Sequence, residues 1–232
     1  MTILIVPLVV IALSTEGLVF GSQVGRPGWF GSLQGPDFLA LAAASSLANL
    51  IVLTAIVRRI LHDDGRLITP VVFRWFGGLL LAATAVAVYF QIVEIFTLLY
   101  ATPGSERQLA DALLFGAYSW IFWPSLVLIG GGLVVLVLQA AKREWNVGWL
   151  VIAGVLISTS ALAERYLTVI PSQTHGMMLP YEPGAYFPSW IELTVVAGLF
   201  ALGALLIGLF MKVFPIVPLD GIMEEEEVVV DA

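Results

Sequence analysis

The chain has 232 residues, of which 59% are hydrophobic and only 12% are charged. A soluble domain usually carries roughly 25% charged residues, so this composition excludes an ordinary soluble protein and indicates an integral membrane protein. Cysteine is absent, which excludes disulfides and any iron–sulfur cluster held by thiolates of this chain. The net charge of -7 comes largely from loops and termini and does not point to a ligand.

Six apolar stretches are long enough to cross a bilayer, because about 20 helical residues span its hydrocarbon core. They cover residues 2–22, 37–59, 70–100, 109–139, 147–170 and 188–213. We therefore predict an all-α, polytopic bundle of about six transmembrane helices over residues 1–218, followed by an acidic cytoplasmic tail over 219–232. The first stretch lacks the basic start and cleavage site of a signal peptide, so we expect it to be a retained helix.

Lysine and arginine are concentrated in the loops on one side of the predicted bundle. Short loops with excess positive charge stay in the cytoplasm. The residues on this side are Arg58, Arg59, Arg66, Lys142, Arg143 and Lys212. The opposite loops carry only Arg26 and Arg107. We predict a multi-pass protein of the cell membrane with both termini in the cytoplasm.

Three predicted helices deliver charged residues to the outer half of the membrane. Charge in hydrocarbon costs roughly 2.5 to 3.5 kcal/mol per residue on insertion scales, so such residues are usually paired or functional. Glu16, Glu94 and the pair Glu164 and Arg165 lie late in helices that run outward. Glu16 and Glu94 have no basic residue within one turn of their own helices, so each must reach Arg165, be protonated or contact water. We predict that they carry protons. For Glu164 and Arg165, a structural pairing between helices and a functional coupling are equally compatible with the sequence.

Other polar residues at the outer side have simpler explanations. Asp37, Asp111 and Glu192 are predicted in the first turns of helices that run inward, where acidic side chains cap free N–H groups and complement the helix dipole. Tyr118 is expected two turns below Asp111 on the same helix. Gln91 lies on the same face as Glu94, and its amide suits either a ligand carbonyl or a buried partner.

Two kinds of membrane cofactor are disfavoured by the residues present. A membrane b-type haem usually needs paired histidines, whereas His62 is predicted at a cytoplasmic helix end and His175 in an outer loop. A retinal Schiff base needs a lysine at mid-membrane, but Lys142 and Lys212 lie at predicted helix ends. We expect no metal or haem to be held by this chain.

Several segments resemble the NrfD/PsrC family, the membrane subunits of polysulfide reductase-like complexes. Those in the C-terminal part are Glu164-Arg165-Tyr166-Leu-Thr-Val-Ile-Pro171-Ser, Tyr186-Phe-Pro188-Ser-Trp190-Ile-Glu192 and Lys212-Val-Phe-Pro-Ile-Val-Pro218. Those upstream are Ser14-Thr-Glu16-Gly17, the stretch from Phe20-Gly21 to Trp29, and Gln91 to Glu94. The likeness is to the C-terminal portion of the family, so the family's N-terminal bundle is expected to be missing.

The resemblance implies a membrane anchor that exchanges electrons between a membrane quinone and an iron–sulfur partner subunit, often beside a molybdopterin catalytic subunit. The quinone would be of menaquinone or ubiquinone type, bound non-covalently, and the chain would not be catalytic alone. The family also implies proton movement at Glu16 and Arg165, and less directly at Glu164 and Glu94.

Two hypotheses follow for the function. In the first, quinol gives its protons to Glu94 or Glu16 and its electrons to the partner, and Arg165 holds a neighbouring carboxylate ionised. The residues assigned to quinone or proton transfer are Glu16, Gln91, Glu94, Tyr118, Glu164, Arg165 and His175. The outer loops 26–36 and 171–188 would dock the partner through Arg26, Trp29, Tyr181, Tyr186 and Trp190. In the second, the chain is a proton-conducting or purely structural anchor without its own quinone site.

Overall fold

The computed structural model describes residues 2–60, 69–100, 104–175 and 184–213. These residues form seven α-helices. The helices are α1 (Thr2–Gly21), α2 (Gln34–Ile60), α3 (Pro70–Tyr100), α4 (Ser105–Leu114), α5 (Ser119–Lys142), α6 (Val147–Thr174) and α7 (Trp190–Val213). The predictions for His62, Arg66, Tyr181, Pro218 and the tail over 219–232 fall outside the described residues.

Five helices, α2, α3, α5, α6 and α7, are long and apolar enough to cross a membrane. The apolar part of α1, Ile5–Gly21, is shorter. In hydrocarbon, every backbone polar group must be satisfied within the segment, which continuous helices achieve. The predicted all-α, polytopic membrane fold is therefore confirmed, and the orientation of the termini stays a prediction.

The predicted fourth span, 109–139, is wrong at its start. Residues 105–114 form the separate helix α4, which carries the ion pair Arg107–Asp111 with 3.6 Å between Nε and Oδ1. The chain turns at Gly116, where an added Cβ would lie 2.8 Å from Ala112 Cα, and α5 then starts at Ser119. This turn separates α4, which has three charged residues, from the mostly apolar α5, whose charged residue Lys142 lies at its end.

The break at Gly116 also changes two residue assignments. Asp111 lies in the middle of α4 rather than in the first turn of a span, and Glu106 occupies the first turn instead. Tyr118 is the N-cap of α5 rather than a residue two turns below Asp111. The first-turn positions predicted for Asp37 and Glu192 are confirmed.

Helix α6 continues past its predicted end at residue 170. It reaches Thr174, so Pro171 is a buried helical residue rather than the start of an outer loop. Proline is tolerated inside transmembrane helices because neighbouring groups satisfy the freed backbone atoms. The loop predicted over 171–188 therefore starts later than expected.

The chain divides into two units, Met1–Tyr186 and Phe187–Ala232. The described part of the second unit contains α7. In the first unit, α2 and α5 begin, and α3 and α6 end, at one end of the bundle, which we call the site end. The other end, near Ile60 and Lys142, is called the opposite end.

Buried residues of the first unit form three apolar layers between the helices. The layer nearest the opposite end contains Ala44, Ala48, Ile51, Phe73, Leu80, Leu136, Leu150, Ala153 and Ile157. The middle layer contains Ala40, Leu41, Ala87, Ile129 and Ala161. The layer at the site end contains Leu109, Leu113, Tyr118, Phe122 and Leu167. Small residues let helices approach closely, as at Gly154, where an added Cβ would lie 3.0 Å from Ala48 O.

Candidate functional site

A cavity of about 330 Å³ lies at the site end, between the loop before α2, the C-terminal half of α3, and α4. We call it the main cavity. Its polar wall consists of Ser32, Gln34, Asp37, Glu94, Thr97 and Glu106, and its apolar wall includes Phe30, Leu33, Phe90 and Leu98. Small-molecule sites typically have about 300 to 1,000 Å³ and an apolar lining with a few converging polar groups. The main cavity therefore has the volume and the mixed lining of a small-molecule site.

Gln34 organises the polar wall. Its side chain is buried, and Nε2 donates to Glu94 Oε1 at 3.3 Å and to Gly28 O at 3.0 Å. These bonds connect the first turn of α2 with α3 and with the preceding loop. Glu94 is therefore held in place by a neutral amide, and its second oxygen is not engaged by this bond.

Gly28 and Glu106 close the far side of the main cavity. Gly28 has φ of +77°, which favours glycine because other residues meet a steric penalty there. Its N–H donates to Glu106 Oε2 at 2.9 Å. Burial raises the pKa of the Glu106 carboxyl group above 4.5, and the hydrogen bond from Gly28 offsets this only in part. Glu106 lies in α4, outside the spanning helices.

Arg165 contacts an aromatic ring rather than a carboxylate. Its guanidinium carbon lies 3.8 Å from the ring centroid of Phe38, and Nη2 donates to Phe38 O at 3.4 Å. Among the described residues, no carboxylate forms a direct ion pair with it. Its charge nevertheless acts on four carboxyl groups, those of Glu16, Asp37, Glu94 and Glu164. The side chain thus joins α6 to α2 and places one positive charge among these acidic groups.

A second, smaller cavity of about 40 Å³ lies between α3, α5 and α6. We call it the inner cavity. Its polar wall consists of Gln91, Glu94, Glu164 and Thr168, so Glu94 lines both cavities. Glu164 Oε1 accepts a hydrogen bond from Ser125 Oγ at 2.9 Å. The predicted residues Gln91, Glu94 and Glu164 are therefore brought together.

Tyr118 and His175 belong to a separate network at the site end. The hydroxyl of Tyr118, which is fully buried, bonds to Thr174 Oγ1 at 3.0 Å and accepts from Tyr186 N at 3.2 Å. Thr174 Oγ1 also lies 3.0 Å from His175 Nδ1, and Tyr166 donates its hydroxyl proton to Tyr186 O at 2.8 Å. Neither Tyr118 nor His175 lines either cavity.

Glu16 lies on α1, and its side chain is exposed in the described structure. It lines neither the main nor the inner cavity. The adjacent Gly17 packs against the start of α2, where an added Cβ would lie 2.7 Å from Gln34 O. Glu16 is linked to the other predicted site residues by its electrostatic interaction with Arg165.

The residues predicted for partner docking occupy different environments. Trp29 donates from Nε1 to Thr168 O and packs edge-on against Phe20 at 4.6 Å between centroids. Arg26 Nη1 lies 3.5 Å from Gln173 O. Both side chains attach the loop before α2 to the end of α6. Tyr186 and Trp190 are exposed, and the docking role stays a prediction.

Sequence reasoning did not assign Gln34, Glu106 or Ser125 to the site, and it explained Asp37 as a helix cap. Gln34 and Asp37 are three residues apart at the start of α2, a spacing that places them on one helix face. This pair of polar residues on one helix face was the sequence signal that could have identified this part of the site. Glu106 gave none, because it was expected in a loop before a transmembrane helix.

The family comparison covers all residues that line the two cavities. The family model described as "Polysulphide reductase, NrfD" matches residues 1–176. The chain belongs to the NrfD family. The matched range includes every lining residue as well as Tyr118 and His175, whereas Tyr186 and Trp190 lie beyond it. The predicted family resemblance is therefore confirmed.

Two curated proteins are similar to this NrfD-family chain along most of its length. One is the "Hdr-like menaquinol oxidoreductase integral membrane subunit" of Archaeoglobus fulgidus, 27% identical over 90% of this chain and 55% of the relative. The other is a putative membrane subunit of dimethyl sulfoxide reductase from Halobacterium salinarum, 26% identical over 90% of this chain and 52% of the relative. The chain thus spans about half the length of these two relatives.

Proposed function

We propose that this NrfD-family chain is a membrane subunit of a quinone-linked oxidoreductase, and that the main cavity takes the ring of a membrane quinol. The observation that carries the proposal is Glu94, a carboxyl group fixed by Gln34 in a cavity with aromatic and aliphatic walls. A quinol offers a flat apolar ring and two hydroxyl groups, which match this lining. The name of one relative, a menaquinol oxidoreductase subunit, supports the same ligand class.

The acidic groups of the main cavity supply the proton chemistry of quinol oxidation. Oxidation breaks two O–H bonds, forms two C=O bonds, and releases two protons and two electrons. Glu94 accepts one proton at the carboxylate oxygen that Gln34 does not engage. Asp37 lines the same cavity, and its Oδ1 has no hydrogen-bond partner in the described part of the chain, so it accepts the second. Positioned bases of this kind accelerate proton transfer by about 10² to 10⁴.

Arg165 stabilises the charge distribution around the cavity. Burying several carboxyl groups near one another is costly unless a positive charge compensates. The guanidinium interacts electrostatically with both proposed proton acceptors, Asp37 and Glu94, while the ring of Phe38 holds it in place. Arg165 is therefore a positioning and electrostatic residue rather than a group that touches quinol.

The electrons leave to a partner, since a chain without cysteine offers no thiolates to bind an iron–sulfur cluster. We propose an iron–sulfur subunit as the acceptor, with a molybdopterin catalytic subunit further along the electron path. It would dock at the site end, over the loop at residues 26–36, in the cell membrane. Gly28 and Phe30, the chain neighbours of Trp29 in this loop, line the main cavity, which supports a short path from quinol to a partner on the loop.

The second candidate function is a proton-conducting or structural anchor without its own quinone. The chain matches only about half of each relative. If the quinone site lies in the half of the relatives that this chain does not match, the bundle described here has another function. The inner cavity, with two carboxyl groups, is the feature that such a protein would use.

The test is quinol-dependent reduction of the partner's clusters by the purified complex, with wild type and Glu94→Gln. We expect the variant to lose about 10² to 10⁴ in turnover, because an amide cannot accept the proton. The matched control is Glu144→Gln, which removes a carboxylate at the opposite end of the bundle and leaves turnover unchanged. Glu16→Gln tests whether this exposed carboxyl group also participates.

A direct binding assay separates the two candidate functions. A quinone analogue is titrated into the full chain in nanodiscs, in the absence of any partner. Saturable binding that weakens in Glu94→Gln supports the main cavity as the quinone site. Wild-type turnover in Glu94→Gln, with no saturable binding to the chain, would assign quinone chemistry to another part of the complex.

A further inference from the structure

We infer that Glu164 is a terminal proton-storage site, reached from Glu94 through a water molecule in the inner cavity and closed toward the opposite end of the bundle. The inference rests on the proposed function only in taking quinol as the source of the proton. Four features carry it: the inner cavity, the unpaired amide of Gln91, the hydrogen bonds of two serines, and the apolar layers beyond them.

The inner cavity is a site for ordered water. A volume of about 10 to 15 Å³ holds one water molecule, and this cavity has about 40 Å³ with four polar residues in its wall. Gln91 is among them, and neither Nε2 nor Oε1 has a partner among the described residues. Its terminal amide torsion is soft, so a small rotation pairs the amide with that water. Buried polar groups of this kind are normally satisfied by protein or by water.

The water connects two carboxyl groups that do not bond to each other directly. Glu94 and Glu164 line the same cavity and interact electrostatically. The Glu94 carboxyl gives its proton to the water, and the water gives a different proton to the Glu164 carboxylate. One O–H bond breaks at Glu94 and one forms at Glu164. The water oxygen gains one O–H bond and loses another, so the water is regenerated and Glu94 is free to accept again.

The hydrogen bonds beyond Glu164 do not pass the proton further. Ser125 Oγ donates its proton to Glu164 Oε1 at 2.9 Å. Ser160 Oγ lies 3.3 Å from Ser125 Oγ, and its shorter hydrogen bond, at 2.8 Å, is donated to the main-chain carbonyl of Ser125. A carbonyl oxygen has no proton to hand on. The serine contacts therefore end at a main-chain carbonyl, and the two serines fix Glu164 in place.

Apolar layers separate these serines from the opposite end. The middle layer and the layer nearest the opposite end are built from the aliphatic, alanine and phenylalanine residues named above. Between them along α3 lies one buried hydroxyl, that of Thr84, which has no hydrogen-bond partner in the residues that the structure describes. A single unpaired hydroxyl does not form a chain, so protons that reach Glu164 return to the site end.

Infrared spectroscopy of the full chain in nanodiscs tests the connection. The carboxyl C=O band of Glu164 is identified by its loss in Glu164→Gln, and its exchange is followed after transfer into D₂O. We expect the exchange to slow about a hundredfold in Glu94→Gln, because the relay of a positioned carboxyl group is lost. Gln91→Leu removes a partner of the water and slows it as well, which provides a second variant if the first does not fold.

The matched control is Thr159→Val on the same helix. Among the described residues, the Thr159 hydroxyl bonds to the carbonyl of Val155 in its own helix, so exchange of the Glu164 band should be unchanged. An exchange rate in both Glu94→Gln and Gln91→Leu equal to wild type would overturn the water connection. Absence of an exchangeable Glu164 band would overturn its role as a proton acceptor.

Proteoliposomes with a trapped pH indicator test the closed end. With an imposed pH gradient, we expect wild-type proton leak to equal that of liposomes of the same lipid without protein. A faster leak that disappears in Glu164→Gln would overturn the storage site and assign a transmembrane path to the same residues. Neither measurement uses quinol or a partner subunit. The outcome for Glu164 is therefore independent of whether the quinone proposal holds.

Discussion

Replacement of Gln34 by leucine tests two contributions of this side chain at the site end, one to the free energy of unfolding and one to quinone binding. The substitution introduces an apolar side chain of similar size and removes Nε2, which donates to Gly28 O and Glu94 Oε1. A hydrogen bond contributes a net stabilisation of about 1 kcal/mol to the folded state when its acceptor is neutral, and about 2 kcal/mol when its acceptor is charged. We therefore expect the free energy of unfolding in detergent to fall by about 3 kcal/mol.

The same substitution releases Glu94 from its fixed position in the main cavity. We expect affinity for a quinone analogue, titrated into the full chain in nanodiscs, to fall about tenfold, since one charge-assisted contact that positions the carboxylate is lost. The measurement pairs this titration with chemical unfolding of the same preparation, so that stability and binding are read from one sample.

Gln139→Leu is the matched control. Gln139 is as buried as Gln34, at 7% exposure for each, and its Oε1 accepts from Asn146 N at 2.8 Å near the opposite end. We expect it to lower the free energy of unfolding by about 1 kcal/mol and to leave quinone affinity unchanged. Equal loss of affinity in the two variants would refute the reasoning, because it would trace the effect to general destabilisation.

Two further predictions concern the loop and α4. Gly28→Ala places a Cβ at φ of +77° and 2.6 Å from Leu109 Cδ2, so we expect a loss of more than about 1 kcal/mol in chemical unfolding. An unchanged free energy of unfolding would mean that this turn is not strained by a side chain. For Glu106, the pKa is raised in the folded state from 4.5 by burial, so its contribution to stability is present below pH 4.5 and is lost as pH rises through the raised value. Glu106→Gln keeps an acceptor for Gly28 N–H and should flatten that part of the thermal unfolding profile, whereas an identical pH profile would contradict the assignment.

Much of the fold follows from local properties of the sequence. Hydropathy along the chain located the helices, because a segment of about 20 apolar residues satisfies its own backbone and suits hydrocarbon. The family likewise follows from residues close together in sequence, such as the segment from Glu164 to Ser172. The one wrong span arose where a ten-residue helix and a transmembrane helix adjoin, since a hydropathy window does not detect the turn at Gly116.

The site was predictable only in part. Glu94, Gln91 and Glu164 were identified because charged or amide groups inside apolar helices are costly and therefore informative. Their partners were not identifiable in this way. Gln34 and Glu94 are 60 positions apart, and Arg165 meets a backbone oxygen 127 positions away, on a residue whose aromatic ring carries no charge.

The sequence by itself determined that the chain is a polytopic helical membrane protein of the NrfD family with acidic residues near one end of its helices. Tertiary structure decided which of these residues share a cavity, which lie elsewhere, as do Tyr118, His175 and Glu16, and which neutral residues hold them. The physical reason is that the hydropathy of a helix is a property of its own residues, whereas a cavity is formed by the rotation and closeness of several helices. Those depend on how small and large side chains from distant segments pack together.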